Sequence, residues 1–181
     1  MLENVAVAFL AAILALICWS IQQGIERRQR LVRIKAALAV EIATLVELIQ
    51  QQSYSSEFRE HAAKIRAAGQ RFGYPVVCIP ITHSYFSVFE ANADLVGDLG
   101  TDDVVQVISF YQQARSLADS ASKAGTPDNT ITPVEDAASR YEALASAVDK
   151  LCDLGLAVSK KLTSEEVLAQ VNELAVRLRP A

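Results

Sequence analysis

The stretch VAVAFLAAILALICWSI, Val5–Ile21, contains no charged side chain, and Ser20 is its only strongly polar one. At about 1.5 Å of helical rise per residue it spans roughly 25 Å, near the lower limit for a bilayer core. Including Leu2, or continuing through Gly24 to Ile25, lengthens it comfortably. Such a run must be enclosed by protein, as a buried core helix, or placed in lipid. The residues after it favour lipid: Glu26 is followed by Arg27, Arg28, Arg30, Arg33 and Lys35, whereas no Lys or Arg precedes the run. Basic residues beside a span are retained on the cytoplasmic side. The expected topology therefore has the N-terminus outside and the main domain in the cytoplasm. Arg27, Arg28, Arg30, Arg33 and Lys35 are expected to contact the membrane surface, lying on anionic headgroups of the bilayer. Trp19 falls where an interfacial aromatic belongs.

A cleaved secretory signal fits poorly. Met1-Leu2-Glu3-Asn4 supplies an acid and no base, and Trp19-Ser20-Ile21-Gln22 is a poor cleavage site. The expected division is an anchor over 1–25 and a helical domain over 26–181. Residues 36–181 carry 12 basic and 19 acidic side chains, which disfavours nucleic acid because phosphate contacts need clustered Lys and Arg. The partners expected are the bilayer and a protein, or a second copy of the chain. Cys18, Cys78 and Cys152 are odd in number and far apart, as free thiols in a reducing compartment would be.

Beyond the anchor the pattern is helical. Leu31, Ile34, Leu38, Ile42, Leu45 and Ile49 recur at three- and four-residue steps. Val32, Ala36, Ala39, Val40, Ala43 and Val46 widen that apolar arc, leaving a narrow polar stripe at Arg33, Glu41, Thr44 and Glu47. A helix so apolar has neighbours on several sides, and this one is expected at the centre of the domain. Between Ile21 and Leu31 only Gly24 opposes helix, at about 1 kcal/mol relative to Ala, so the anchor should run without a loop to near Gln52. Ser53–Ser56 interrupt the pattern, and a shorter helix is expected over 57–68. YPVVCIPITHS reads as an extended connection with room for one short strand.

Ser84 is an expected N-cap for a helix through YFSVFEANADLVGDL, with Phe86, Phe89, Ala93 and Val96 on one face. Thr101 caps the next helix, with Asp102 and Asp103 in its first turn. TPVE, Thr132–Glu135, is a capping box. It opens a long helix in which Val134, Ala137, Tyr141, Leu144, Val148, Leu151, Gly155, Val158 and Leu162 follow three-four spacing, as in a coiled-coil seam. TSEE, Thr163–Glu166, is a second capping box before a last helix carrying Leu168, Val171, Ala175 and Leu178. The fold class expected is all-α: one transmembrane helix continuing into a cytoplasmic bundle of five to six helices.

The segment VFEANADLVGDLGTDDVVQVISFYQQARSL, Val88–Leu117, resembles one found in small uncharacterised bacterial single-pass membrane proteins, through Asn92, Gly97, Leu99, Phe110 and Tyr111. The resemblance implies a bacterial inner membrane and a helical domain, and no activity.

Chemistry-bearing patterns are sparse. Asn92 sits three residues after Phe89 beside an apolar face, and with Phe110 and Tyr111 it is the candidate partner or ligand contact. A buried Asn that satisfies the backbone at the Leu95–Gly100 turn, and aromatics that pack the core, are the plainer readings. His61, His83 and Cys78 fall short of a zinc set, so no metal and no cofactor is expected. Glu57, Glu60 and His61 read as a solvated helix face. Glu90, Asp94 and Asp98, at i, i+4 and i+8, form an acidic ridge of the kind that a solvated helix edge also presents. No phosphate loop, nucleophile elbow or dinucleotide fingerprint occurs, and no catalytic residue is assigned. The leading expectation is a non-catalytic membrane-tethered interaction or assembly module. A ligand-sensing bundle around Asn92 and Tyr111 comes second, and an unfamiliar membrane-anchored enzyme third.

Overall fold

The structure, a computed structural model, describes the backbone of residues 2–68, 83–124 and 134–163, and within them the side chains of 13–67, 85–123 and 134–163. Every regular element in those residues is helical. Helix α1 is Leu2–Gln51 and α2 is Tyr54–Ala68. A 3-10 turn, His83–Phe86, leads into the short helices α3, Ser87–Ala91, and α4, Ala93–Val96. The long helices α5, Thr101–Ala124, and α6, Val134–Leu162, complete the bundle.

Helix α1 is unbroken through Gly24, where an added methyl would meet nothing within 4 Å. One helix therefore carries the end of the uncharged run into the protein core. Ile13, Leu14, Leu16, Ile17, Trp19, Ile21 and Ile25 are all exposed along its first part, whereas Leu38, Ile42, Leu45 and Ile49 are buried along its last. Among the described residues, no helix is long and apolar enough to cross a membrane. Residues 5–12, the first half of the uncharged run, lie outside those whose side chains are described.

Helix α1 ends where Ser53 adopts a left-handed conformation, φ 55°, the position usually given to glycine after a helix. Its carbonyl accepts from the Glu57 N–H and from the Ser56 hydroxyl, so the reversal is held by hydrogen bonds rather than by glycine. As a result α2 starts at Tyr54, three residues before the position expected for it.

Among the described residues the hub of the bundle is α6, which packs against α2, α1 and α5, so the central place expected for α1 belongs to α6. The reason lies in the width of the two apolar faces. Val40 and Ala43, counted in the arc of α1, face outward, with Val40 64% exposed. On α6 the seam from Ala137 to Leu162 is buried throughout, and Ala138, Ala145 and Cys152 widen it; Val134, at its start, is half-buried. Gly155 sits at the tightest crossing: a methyl there would fall 2.4 Å from Val46 Cγ2 and 2.7 Å from Phe110 Cε2. Close approach of α1, α5 and α6 thus requires glycine.

Ion pairs tie α2 to the outer face of α6. Arg66 reaches both Glu135, at 2.9 Å, and Glu142, while Arg59 reaches Asp149. The Glu135 carboxylate is engaged by Arg66, and Thr132 and Pro133 of its expected capping box lie outside the described residues. Thr163 donates its hydroxyl back to the Ser159 carbonyl at 2.8 Å, closing α6. The extended connection with its short strand and Cys78, and the last helix with Leu168, Val171, Ala175 and Leu178, lie outside the described residues, as does the Ser84 side chain.

Candidate functional site

The helix expected through 85–99 is divided at Asn92, whose φ of −121° and ψ of 17° leave the helical region. Asn92 closes α3, its N–H reaching the Val88 and Phe89 carbonyls and its amide donating to Val88 O at 2.8 Å. Its own carbonyl accepts from Leu95 and Val96 and so opens α4. The side chain is half-buried and turned onto its own backbone. The amide thus satisfies backbone at the end of α3 and not at the Leu95–Gly100 turn. The break also dissolves the acidic ridge: Glu90 is drawn to Arg115 at 2.6 Å, Asp98 to Arg27 at 2.6 Å, and Asp94 stays exposed. Among the described residues, no group of three or more His, Cys, Asp or Glu side chains is placed to hold a metal ion.

Phe110 and Tyr111 are fully buried on α5. The Tyr111 ring is stacked on Phe89, with centroids 4.1 Å apart, and meets Phe86 and Phe110 edge-on. Its hydroxyl donates to Glu41. That carboxylate also accepts the Val88 N–H at 2.7 Å and the Phe89 N–H at 3.2 Å, so it caps the first turn of α3 from another helix. Phe86, the residue in the N-cap position, offers no side-chain cap of its own. Burial pushes the Tyr111 phenol far above its usual range, and the Glu41 carboxylate adds to the effect. Glu41 is the group that organises this region, although its sequence places it only in the narrow polar stripe of α1. The available signal was its position: Glu41 directly precedes Ile42 and follows Leu38 by three, so it borders the buried face of α1.

The basic cluster after the apolar run divides by its neighbours. Lys35 pairs with Asp103 at 2.7 Å, and Lys161 reaches the same carboxylate at 3.1 Å, joining α1, α5 and α6. Burial pushes the Asp103 carboxyl up, but the hydrogen bonds from Lys35 and Lys161 outweigh it and hold the group below its ordinary range. Arg27 pairs with Asp98 in the turn after α4, on the surface. Arg28, Arg30 and Arg33 are exposed and make no ion pair among the described residues.

Two surface recesses border α1. One, of about 440 Å³, lies between the Gln23–Ile34 part of α1 and the α4 end, with Leu31, Ile34 and Leu95 as its apolar floor. The other, of about 550 Å³, is mostly apolar, with Ala36, Val40 and Thr44 of α1 opposite Tyr85 and Val88. His61 stands apart on α2, 3.7 Å from Glu57 and with its ring 6.0 Å from that of Tyr141. Cys18 is exposed and Cys152 is buried, and both are free thiols. No protein-family model, curated protein or solved structure matches this chain.

Proposed function

We propose that the chain is a single-pass protein of the bacterial inner membrane whose cytoplasmic helical bundle is a non-catalytic docking or assembly module. The observation that carries this reading is the continuity of α1. Exposed apolar side chains from Ile13 to Ile25 and the buried core residues from Ile34 to Ile49 belong to one rigid rod. Exposed side chains of that size over several turns are costly in water and neutral in lipid. The bases Arg28, Arg30 and Arg33, exposed just beyond them, support an orientation with the bundle on the cytoplasmic side. The resemblance of Val88–Leu117 to bacterial single-pass proteins points the same way. Rigid attachment suits a part that holds a partner at a set distance from the bilayer better than an enzyme that must roam.

The surface offered to such a partner is the apolar recess around Val40 and Tyr85. The ligand-sensing reading has less support, since Phe86, Phe89 and Phe110 already surround Tyr111 and its hydroxyl is committed to Glu41. Three experiments test the proposal. The full chain should stay in the membrane pellet through alkaline carbonate extraction, and a reporter fused after Ala181 should work only as a cytoplasmic reporter. Release by carbonate, or activity of a periplasm-dependent reporter, would overturn the placement. Val40→Glu should leave helix content intact and weaken association, whether with a partner or with itself, and unchanged association would remove the recess from the docking surface.

A further inference from the structure

Glu26 and Arg30 stand one turn apart on the same face of α1, the spacing at which opposite charges ordinarily join. They do not form an ion pair here. The Glu26 carboxylate instead accepts from the Gln22 amide at 3.1 Å, and Arg30 has no ionic partner among the described residues. Both line the 440 Å³ groove, whose other charged groups, Arg27 and Asp98, are paired with each other. The groove therefore holds two guanidinium groups and two carboxylates, with one of each left open. Its floor is apolar, and the exposed Leu16 and Trp19 precede Gln23 by seven and four residues on the same face of the helix.

We propose that this groove binds a phospholipid whose headgroup carries both a phosphate and a primary ammonium. The inference rests on the membrane placement above, which sets residues 23–34 at headgroup depth. Arg30 donates to the phosphate, with the planar fork that suits phosphate oxygens. Glu26 accepts from the ammonium. The glycerol region lies over Leu31, Ile34 and Leu95, and the acyl chains run back along Trp19 and Leu16. Charge balance selects the headgroup class. A purely anionic lipid supplies no cation to the Glu26 carboxylate, and a quaternary ammonium carries no N–H to donate to it. A soluble anion has no use for the apolar floor. Arg28 and Arg33 do not line the groove and serve as controls of equal charge.

The test uses the full chain in detergent micelles, doped in turn with phosphatidylethanolamine, phosphatidylcholine or phosphatidylglycerol at equal mole fraction. Native mass spectrometry reads the lipid retained. The expected result is retention of the ethanolamine lipid about tenfold above the choline lipid, the worth of one charge-assisted hydrogen bond. Glu26→Gln should erase that preference, Arg30→Gln should lower retention of both lipids, and Arg33→Gln should change neither. Circular dichroism confirms that each variant keeps its helix content. Retention of the glycerol lipid equal to or above that of the ethanolamine lipid overturns the proposal, as does a loss in Arg33→Gln that matches Arg30→Gln. Carbonate extraction separates the two levels of the argument. A chain that stays in the pellet but shows no headgroup preference refutes the groove site alone, whereas a chain released by carbonate refutes the membrane placement and the lipid site with it.

Discussion

Gly155→Ala adds one methyl at the crossing of α1, α5 and α6. In an exposed helix the exchange would stabilise by about 1 kcal/mol, because alanine loses less backbone entropy than glycine. Here the methyl carbon would stand 2.4 Å from Val46 Cγ2 and 2.7 Å from Phe110 Cε2. Ordinary carbon–carbon contact is about 3.5–4.0 Å, so each neighbour must retreat by roughly 1 Å. Neither can do so freely, since Val46 is 1% and Phe110 0% exposed and both are enclosed by other core side chains. Overpacking of this kind costs about 1–3 kcal/mol. With both contacts severe, the upper part of that range applies, and after the helix gain the net loss should be about 1–2 kcal/mol. Gly155→Leu should lose more. Gly24→Ala, whose methyl meets nothing within 4 Å, should lose nothing. Denaturant unfolding of the detergent-solubilised chain, followed by the Tyr signal of the core, measures all three. A Gly155→Ala protein as stable as wild type would refute the close crossing and loosen the packing of α6 against α1 and α5.

Leu151, 1% exposed on the same seam, should cost roughly 2–5 kcal/mol as Leu151→Ala in the same assay, and a loss below about 0.5 kcal/mol would mean that this face looks outward. Glu41→Ala removes the acceptor of two backbone N–H groups and a buried phenol, so a loss of about 2–4 kcal/mol is expected, with faster hydrogen exchange at Val88 and Phe89 and unchanged exchange in α6. Asp103 has its pKa depressed in the folded state, so its contribution to stability is complete above its unfolded value near ~3.9 and is lost as pH falls through the lower folded value. Asp103→Asn should therefore be less stable than wild type at neutral pH, with the gap closing only below about pH 4, and a gap constant from neutral to acid pH would show that the Lys35–Asp103–Lys161 pairing contributes nothing.

Helix periodicity in this chain depends on neighbours three and four residues apart, and so α1, α5 and α6 and most of their buried residues could be read without any fold. Leu38, Ile42, Leu45 and Ile49, and Tyr141 through Leu162, are buried as their spacing requires. The continuity of α1 through Gly24 was equally local, a matter of one weak helix former among strong ones. What periodicity does not carry is which apolar face wins a neighbour. Val40 satisfies the apolar pattern as well as its buried companions, yet it is 64% exposed because none of the described helices covers it. The cap on α3 was also hidden, because the carboxylate that accepts the Val88 N–H lies 47 residues away in sequence. The same distance dependence governs the charges. Composition places the Arg and Lys cluster beside the apolar run, but only the tertiary structure brings Asp98 to Arg27 and Asp103 to Lys35, leaving Arg28, Arg30 and Arg33 open to solvent or headgroup. A side chain's charge is a property of its residue, whereas its partner depends on where the chain returns.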